Sequence, residues 1–206
     1  MAPHPFLDKQ TSGGYLVGEC ASALQKAIRR CEERHALWWA TELDLAGYAN
    51  YVWRRLRLIC SEDVGLAEPD LPATIRALYD NWLESTKAKK EGDARLYLVH
   101  AVLLLARARK SRIVDNAANL YYGRQRDPAR LEMPDWALDA HTARGRGLGR
   151  TERNCYESSY GVARQELYDP YLAPAHPWMD ADRAERLAHP HAEHPTRDDE
   201  AVRLLD

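Results

Sequence analysis

Phenylalanine occurs once in these 206 residues and cysteine four times, and there is no long apolar run and no stretch of alternating apolar and polar residues. Each shortage closes a class of protein. The longest apolar stretch, Leu96 to Ala106, is interrupted by His100 and falls far short of the about 20 residues that a bilayer-spanning helix needs, so no membrane role is expected. Met1 to Gln10 holds two prolines and no apolar run, which excludes a secretory leader there and points to a cytoplasmic setting. Cys20, Cys31, Cys60 and Cys155 lack the paired short spacings of a zinc site or a disulfide-dense scaffold. Cys20, Cys31 and Cys60 fall among helical apolar positions and are expected to be reduced core thiols. The missing alternation argues against a sheet. Also missing is a glycine-rich loop ending in Gly-Lys-Ser/Thr, whose amides and lysine would hold a triphosphate, so neither ATP nor any other cofactor is expected.

What is present is an ordinary globular composition, 45% hydrophobic and 29% charged, with six tryptophans and eleven tyrosines. Such side chains have one apolar and one polar end and suit interfaces as well as cores. The formal net charge of −2 gives no global attraction to nucleic acid, so any such role must come from a local patch.

The apolar periodicity predicts an all-α fold, a multi-helix orthogonal bundle with an irregular C-terminal region. Val17, Cys20, Ala21, Leu24, Ala27, Ile28 and Cys31 recur at three-and-four spacing and define a helix from Val17. A second is expected from His35 to about Leu45, closed by Gly47, and a third from Tyr48 to Asp63, closed by Gly65. Asp70 is placed to cap a fourth, in which Ile75, Leu78, Tyr79, Trp82, Leu83 and Thr86 continue the pattern. Leu96 to Ala106 is apolar around most of its circumference and so belongs at the centre of the bundle or inside an oligomer. Ile113, Val114, Ala117, Ala118 and Tyr121 mark one more helix. The expected organisation is a flexible leader (1–14), a helical domain (15–130), a Gly/Arg-containing extension packed on it (131–175) and a polar tail (176–206) with a short helix near Ala181 to Leu187.

Few residues suggest chemistry. Glu62 and Asp63 could form an acid/base pair, or could organise a helix end by pairing with Arg54, Arg55 or Arg57, and the second reading is preferred because adjacent helical residues point about 100° apart. Gly145-Arg146-Gly147-Leu148-Gly149-Arg150 lacks the lysine of a phosphate loop and follows no strand, which leaves a flexible basic loop touching phosphate or a merely exposed turn. His189, His191 and His194 lie in a proline-broken tail and are read as solvated, not metal-binding. From Arg107 to Arg153 eleven positive charges face six negative ones, whereas from Asp180 onward eight acidic residues face four arginines. Nucleic acid, if bound, is therefore expected on Arg107, Arg109, Lys110, Arg112, Arg144, Arg146 and Arg150, with Tyr121, Tyr122 and Tyr156 as stacking faces.

Three stretches resemble a known family. They are Ser22 to Arg29, Ala36-Leu37-Trp38-Trp39, and Arg54 through Ser61-Glu62-Asp63-Val64-Gly65 to Pro69. Together they are similar to the C-terminal half of the replication-associated recombination protein A family, bacterial AAA+ ATPases also called MgsA and related to the eukaryotic Werner-helicase-interacting ATPase. Ala108-Arg109-Lys110-Ser111 is similar to that family's Ala-Pro-Lys-Ser segment, with Arg109 in place of proline. The resemblance covers Tyr15 to Leu120 well and the rest weakly, and it makes Arg54, Arg55, Ser61, Glu62, Asp63, Gly65 and Pro69 a structural motif. It implies an all-α domain that forms a homotetramer, in a family that acts at stalled replication forks with single-stranded-DNA-binding protein as a partner.

The expected function is a non-catalytic oligomeric scaffold or adaptor in DNA replication, recombination or repair, of phage or mobile-element type. Its expected partners are further copies of itself, single-stranded or fork DNA, and a single-strand-binding protein or separate ATPase. The competing reading is a small enzyme whose site combines Glu62, Asp63, Lys110, Asp139 and His141.

Overall fold

The computed structural model describes residues 5–124, 131–159, 172–175 and 177–181. The chain divides into two units, Met1–Ala129 and Arg130–Asp206, each built from helices, and no strand occurs among the described residues.

Among the described residues of the first unit, six α-helices occur: α1 (Val17–Arg29), α2 (Glu33–Leu45), α3 (Ala49–Ile59), α4 (Leu71–Lys87), α5 (Glu91–Arg107) and α6 (Ile113–Arg124). Helix α1 buries Val17, Cys20, Leu24, Ala27 and Ile28, the stripe that its three-and-four spacing dictates. Helix α3 buries Val52, Trp53, Leu56 and Ile59, and α4 buries Ile75, Leu78 and Trp82. The Trp53 indole is fully buried with the rings of Tyr79 and Trp82 at 5.5 and 5.8 Å, so the aromatic surplus fills the α3–α4 contact. Helix α5 packs against α1, α2, α3 and α4, as its apolar circumference requires. Leu98, Ala101, Val102 and Leu105 face the core, while Leu96 remains two-thirds exposed.

Three helix ends share one device. At the ends of α1, α2 and α4 a residue with positive φ turns the chain: Cys31 (59°), Gly47 (83°) and Lys89 (58°). The next amide then reaches back five residues, Glu32 to the Ala27 carbonyl, Tyr48 to Leu43 and Lys90 to Ser85. This corrects the reading of Cys31 as a core thiol: the residue is exposed because it occupies the left-handed position that ends α1, just past the apolar stripe. Cys20 and Cys60 are buried as expected, and burial pushes both thiols up from their ordinary pKa.

Other elements also depart from expectation. The segment read as a flexible leader (1–14) meets the start of α1, since Val17 and Gly18 donate to the carbonyls of Lys9 and Leu7. Phe6 sets its ring edge-on against Tyr48 at 5.5 Å and Tyr51 at 4.9 Å. Asp70 precedes α4 but makes no side-chain cap, and Pro72 in the first turn, where no amide hydrogen is needed, supports the helix start instead. The third helix does not run to Asp63 as regular α-helix. At Cys60–Val64 it widens into a π turn, and a 3-10 turn, Gly65–Ala67, follows.

In the second unit a 3-10 turn (Asp135–Ala137) leads to α7 (Ala143–Gly147), α8 (Glu152–Ser159) and α9 (Leu172–Ala175). The Gly/Arg segment is thus partly helical: Thr142 caps α7 by accepting the Gly145 amide hydrogen at 3.0 Å. His176, the tail histidines and all but the first residue of the short helix expected near Ala181 to Leu187 lie outside the described residues.

Candidate functional site

In the first unit the π turn carries the densest polar arrangement. A π turn adds a residue to the helical repeat, and here it directs Asp63 inward, where its side chain is fully buried. A carboxylate removed from water needs donors on both oxygens. Asp63 has them: Arg29 Nε donates to Oδ1 at 2.6 Å, Arg112 Nη1 to the same oxygen at 2.6 Å, and Gln25 Nε2 to Oδ2 at 3.0 Å. Glu62 beside it accepts Arg29 Nη2 at 3.2 Å and Arg112 Nη1 at 3.3 Å. Arg112 also donates to Asp115, and the nearby carboxylates raise its pKa, with the Asp63 hydrogen bond the largest cause. Gln25 in turn accepts a hydrogen bond from Arg55. Two chain segments distant in sequence, α1 and the residue that precedes α6, are fastened to the π turn through the adjacent carboxylates of Glu62 and Asp63, with the buried Asp63 making the shorter contacts.

The backbone repeats the connection. The Ser111 amide donates to the Asp63 carbonyl at 3.0 Å, and Gly65, at φ 50°, lies so close to the 111–114 segment that a Cβ would stand 3.2 Å from Val114 Cγ2 and 3.3 Å from the Ser111 carbonyl oxygen. Arg109 donates to Glu68 at 2.9 Å and to the Ala67 carbonyl at 2.9 Å, and the Arg109 hydrogen bond holds the Glu68 carboxyl below its usual range. Lys110 Nζ donates to the carbonyls of Leu105 (2.9 Å), Ala106 (3.2 Å) and Ala108, closing the C-terminal end of α5, where a cation is favoured by the unpaired carbonyls. Arg107 forms a fork with Glu33, 2.6 and 3.1 Å, and lowers the pKa of that carboxyl.

These contacts correct the expected partners of Glu62 and Asp63. Arg54 lies over the Tyr51 ring at 5.1 Å, Arg57 over Tyr79 at 4.5 Å, and Arg55 reaches Gln25. Six to nine residues separate them from Asp63, about 9–13 Å of helix rise, so a straight helix keeps them away. The actual partners come from elsewhere in the chain. Arg29 and Gln25 were open to notice as a polar pair four apart on a helix otherwise read for its apolar stripe. Ser61 and Pro69 of the same motif are exposed.

In the second unit Arg150 Nη2 donates to both carboxylate oxygens of Asp135, at 2.6 and 2.8 Å, and Arg146 Nη1 donates to the carbonyls of Ala140 (3.3 Å) and His141 (2.9 Å). Arg144 is exposed, with no ion-pair partner among the described residues. Asp139 accepts the His141 backbone amide at 2.9 Å, the main reason its carboxyl is held low, and Cys155 Sγ donates to its other oxygen at 3.4 Å. Of the residues nominated for an enzyme, Glu62 and Asp63 adjoin each other in the first unit, where Lys110 is engaged by carbonyls instead; Asp139 and His141 adjoin each other in the second unit.

An open groove of about 420 Å³ in the first unit is lined by Asp44, Leu45, Trp82, Lys89, Glu91 and Arg95, among others. None of the residues nominated from the sequence lines it. Burial raises the Asp44 pKa there, Arg95 partly offsets the shift, and Glu91 adds to it.

Among the described residues the first unit is all-helical, and the polar residues named above mainly tie its own segments together. Comparison with known proteins gives the family. The description "MgsA AAA+ ATPase C terminal" matches residues 32–186, and the chain belongs to that family. It is similar to the replication-associated recombination protein A of Haemophilus influenzae, 30% identical over 190 residues that cover 87% of this chain and 41% of the relative. The protein of the same name in Bacillus subtilis is 33% identical over 72% of this chain and 35% of the relative, and that of Escherichia coli K12 is 29% identical over 81% and 39%. The chain spans about two-fifths of the length of these relatives.

Proposed function

We propose that this chain is a non-catalytic assembly module, which forms a homotetramer and links an AAA+ ATPase, in the same polypeptide or as a partner, to DNA at sites of replication-linked recombination and repair. The observation that carries the proposal is the exposed apolar character of α6. Ile113 is 61% exposed, Tyr121 54% and Tyr122 79%, although the unit beneath has a well-filled core. Leu58, Leu66 and Leu96 are also exposed by half or more or nearly so. Apolar and aromatic surface of this kind is what an obligate interface covers. The relatives' name, replication-associated recombination protein A, supports the cellular setting.

DNA binding belongs to the same proposal, on Arg107, Arg109, Lys110, Arg112, Arg144, Arg146 and Arg150. Arg107 and Arg109 are exposed although paired, and Arg144 is exposed without a partner among the described residues, so phosphates are within reach of all three. A single-strand-binding protein is the further partner this setting suggests. Analytical ultracentrifugation of the chain and of an Ile113→Glu/Tyr121→Glu variant tests the assembly. The wild type should sediment as a tetramer and the variant as a smaller species with unchanged helix content; equal masses would remove α6 from the interface.

A further inference from the structure

Asp139, His141 and Cys155 bring a carboxylate oxygen, an imidazole nitrogen and a thiol sulfur within 4.8 Å of one another in the second unit. We propose that these three side chains form a binding site for a divalent transition metal, zinc by the nature of its donors.

The geometry suits that ion. In a tetrahedral zinc site with bonds of about 2.0–2.3 Å, neighbouring ligand atoms stand about 3.3–3.8 Å apart. The Cys155 Sγ to Asp139 Oδ2 distance is 3.4 Å, already one edge of such a tetrahedron. His141 is the exposed member of the three, so its ring is free to close the remaining distance by a side-chain rotation. A mixed oxygen, nitrogen and sulfur set excludes magnesium and calcium, which take oxygen ligands, and selects a borderline-soft ion such as zinc. Three protein ligands leave the fourth position to water or to a ligand from outside.

The turn that carries two of the ligands is fixed without metal. The Asp139 carbonyl accepts Thr142 Oγ1 at 3.0 Å, its Oδ1 accepts the His141 amide at 2.9 Å, and Arg146 binds the carbonyls of Ala140 and His141. Gly145 packs so tightly on this turn that a Cβ there would stand 1.9 Å from the Asp139 carbonyl oxygen. Cys155 approaches from α8, so a bound ion would join α8 to the turn preceding α7. Ligands set on such a backbone lose little freedom on binding. The short-spaced cysteine pairs by which zinc sites are usually read in a sequence are absent, since the ligands here are an Asp-x-His pair and a distant cysteine.

The test is titration of the full-length, chelator-treated chain with cobalt(II), followed by displacement with zinc. A near-ultraviolet thiolate-to-cobalt band and visible bands of tetrahedral intensity are expected, both removed by zinc. Cys155→Ser should abolish the near-ultraviolet band, and His141→Ala, at an exposed position, should weaken cobalt affinity at least tenfold while circular dichroism stays unchanged. Cys31→Ser and a variant with His189, His191 and His194 changed to Ala should keep both the band and the affinity. The proposal is overturned if the native chain gives no thiolate band, if the band survives Cys155→Ser or disappears with Cys31→Ser, or if His141→Ala binds cobalt as tightly as the native chain.

Discussion

Arg112 Nη1 stands 2.6 Å from Asp63 Oδ1, joining the start of α6 to a carboxylate with no solvent exposure in the π turn that follows α3. With Arg29 on the opposite segment, the same carboxylate ties three parts of the first unit, and its loss should be felt in global stability. Asp63→Ala removes the closer and fully buried of the two carboxylates that Arg29 and Arg112 share; because Glu62 remains and both arginines are about one-third exposed, part of the lost interaction is replaced, and a cost of about 2–3 kcal/mol is expected. Urea unfolding should show it. Asp63→Asn should cost less, since it keeps an acceptor of the same shape.

Gly65 is the backbone counterpart of that tie. Its φ of 50° is a conformation L side chains rarely adopt, and Val114 and the Ser111 carbonyl occupy the space around a Cβ. Gly65→Ala should lower stability by about 1–3 kcal/mol in thermal melting, with the helix content of the folded state retained. A variant as stable as the wild type would show that the 111–114 segment shifts freely.

Asp44 gives the molecule a pH dependence of definite sign. Burial raises its folded pKa above the unfolded value, so the folded state binds the proton more tightly and stability falls as pH rises from about 3.9 through the folded pKa. Asp44→Asn removes that loss. Its melting temperature should exceed the wild type's near pH 7 and converge with it below about pH 4.

Salt and three arginines test DNA binding. Fluorescence anisotropy with single-stranded and fork DNA should show binding that weakens steeply as salt rises and depends little on sequence. Changing Arg144, Arg146 and Arg150 to Ala should reduce affinity at low salt. If the triple variant binds as the wild type does, the segment around α7 is not part of a DNA surface.

How far the sequence carried these expectations depends on the kind of information involved. Helices α1 and α4 were legible because a core-facing helix must repeat its apolar residues every three or four positions, and Leu24 and Ile75 lie where that pattern put them; α5 was legible through its nearly unbroken apolar stretch. Gly65 was legible through its position after a helix. The partners of Asp63 were not, because Arg29 and Arg112 are 34 and 49 residues away and local spacing carries no record of which distant arginine arrives. Cys31 was misplaced by one turn residue: the apolar spacing continues through it, but α1 ends at Arg29 and Cys31 takes the left-handed position beyond. The proximity of His141 to Cys155 was invisible for the same reason as the Asp63 ties, since it depends on how α8 folds back toward the turn before α7.

The central claim is that this domain exists to assemble, and the molar mass of the chain in solution tests it most directly. Light scattering after size exclusion, at micromolar concentration, should give about four times the 23.5 kDa of one chain. A single species of one chain's mass, unchanged as concentration rises, would contradict the account.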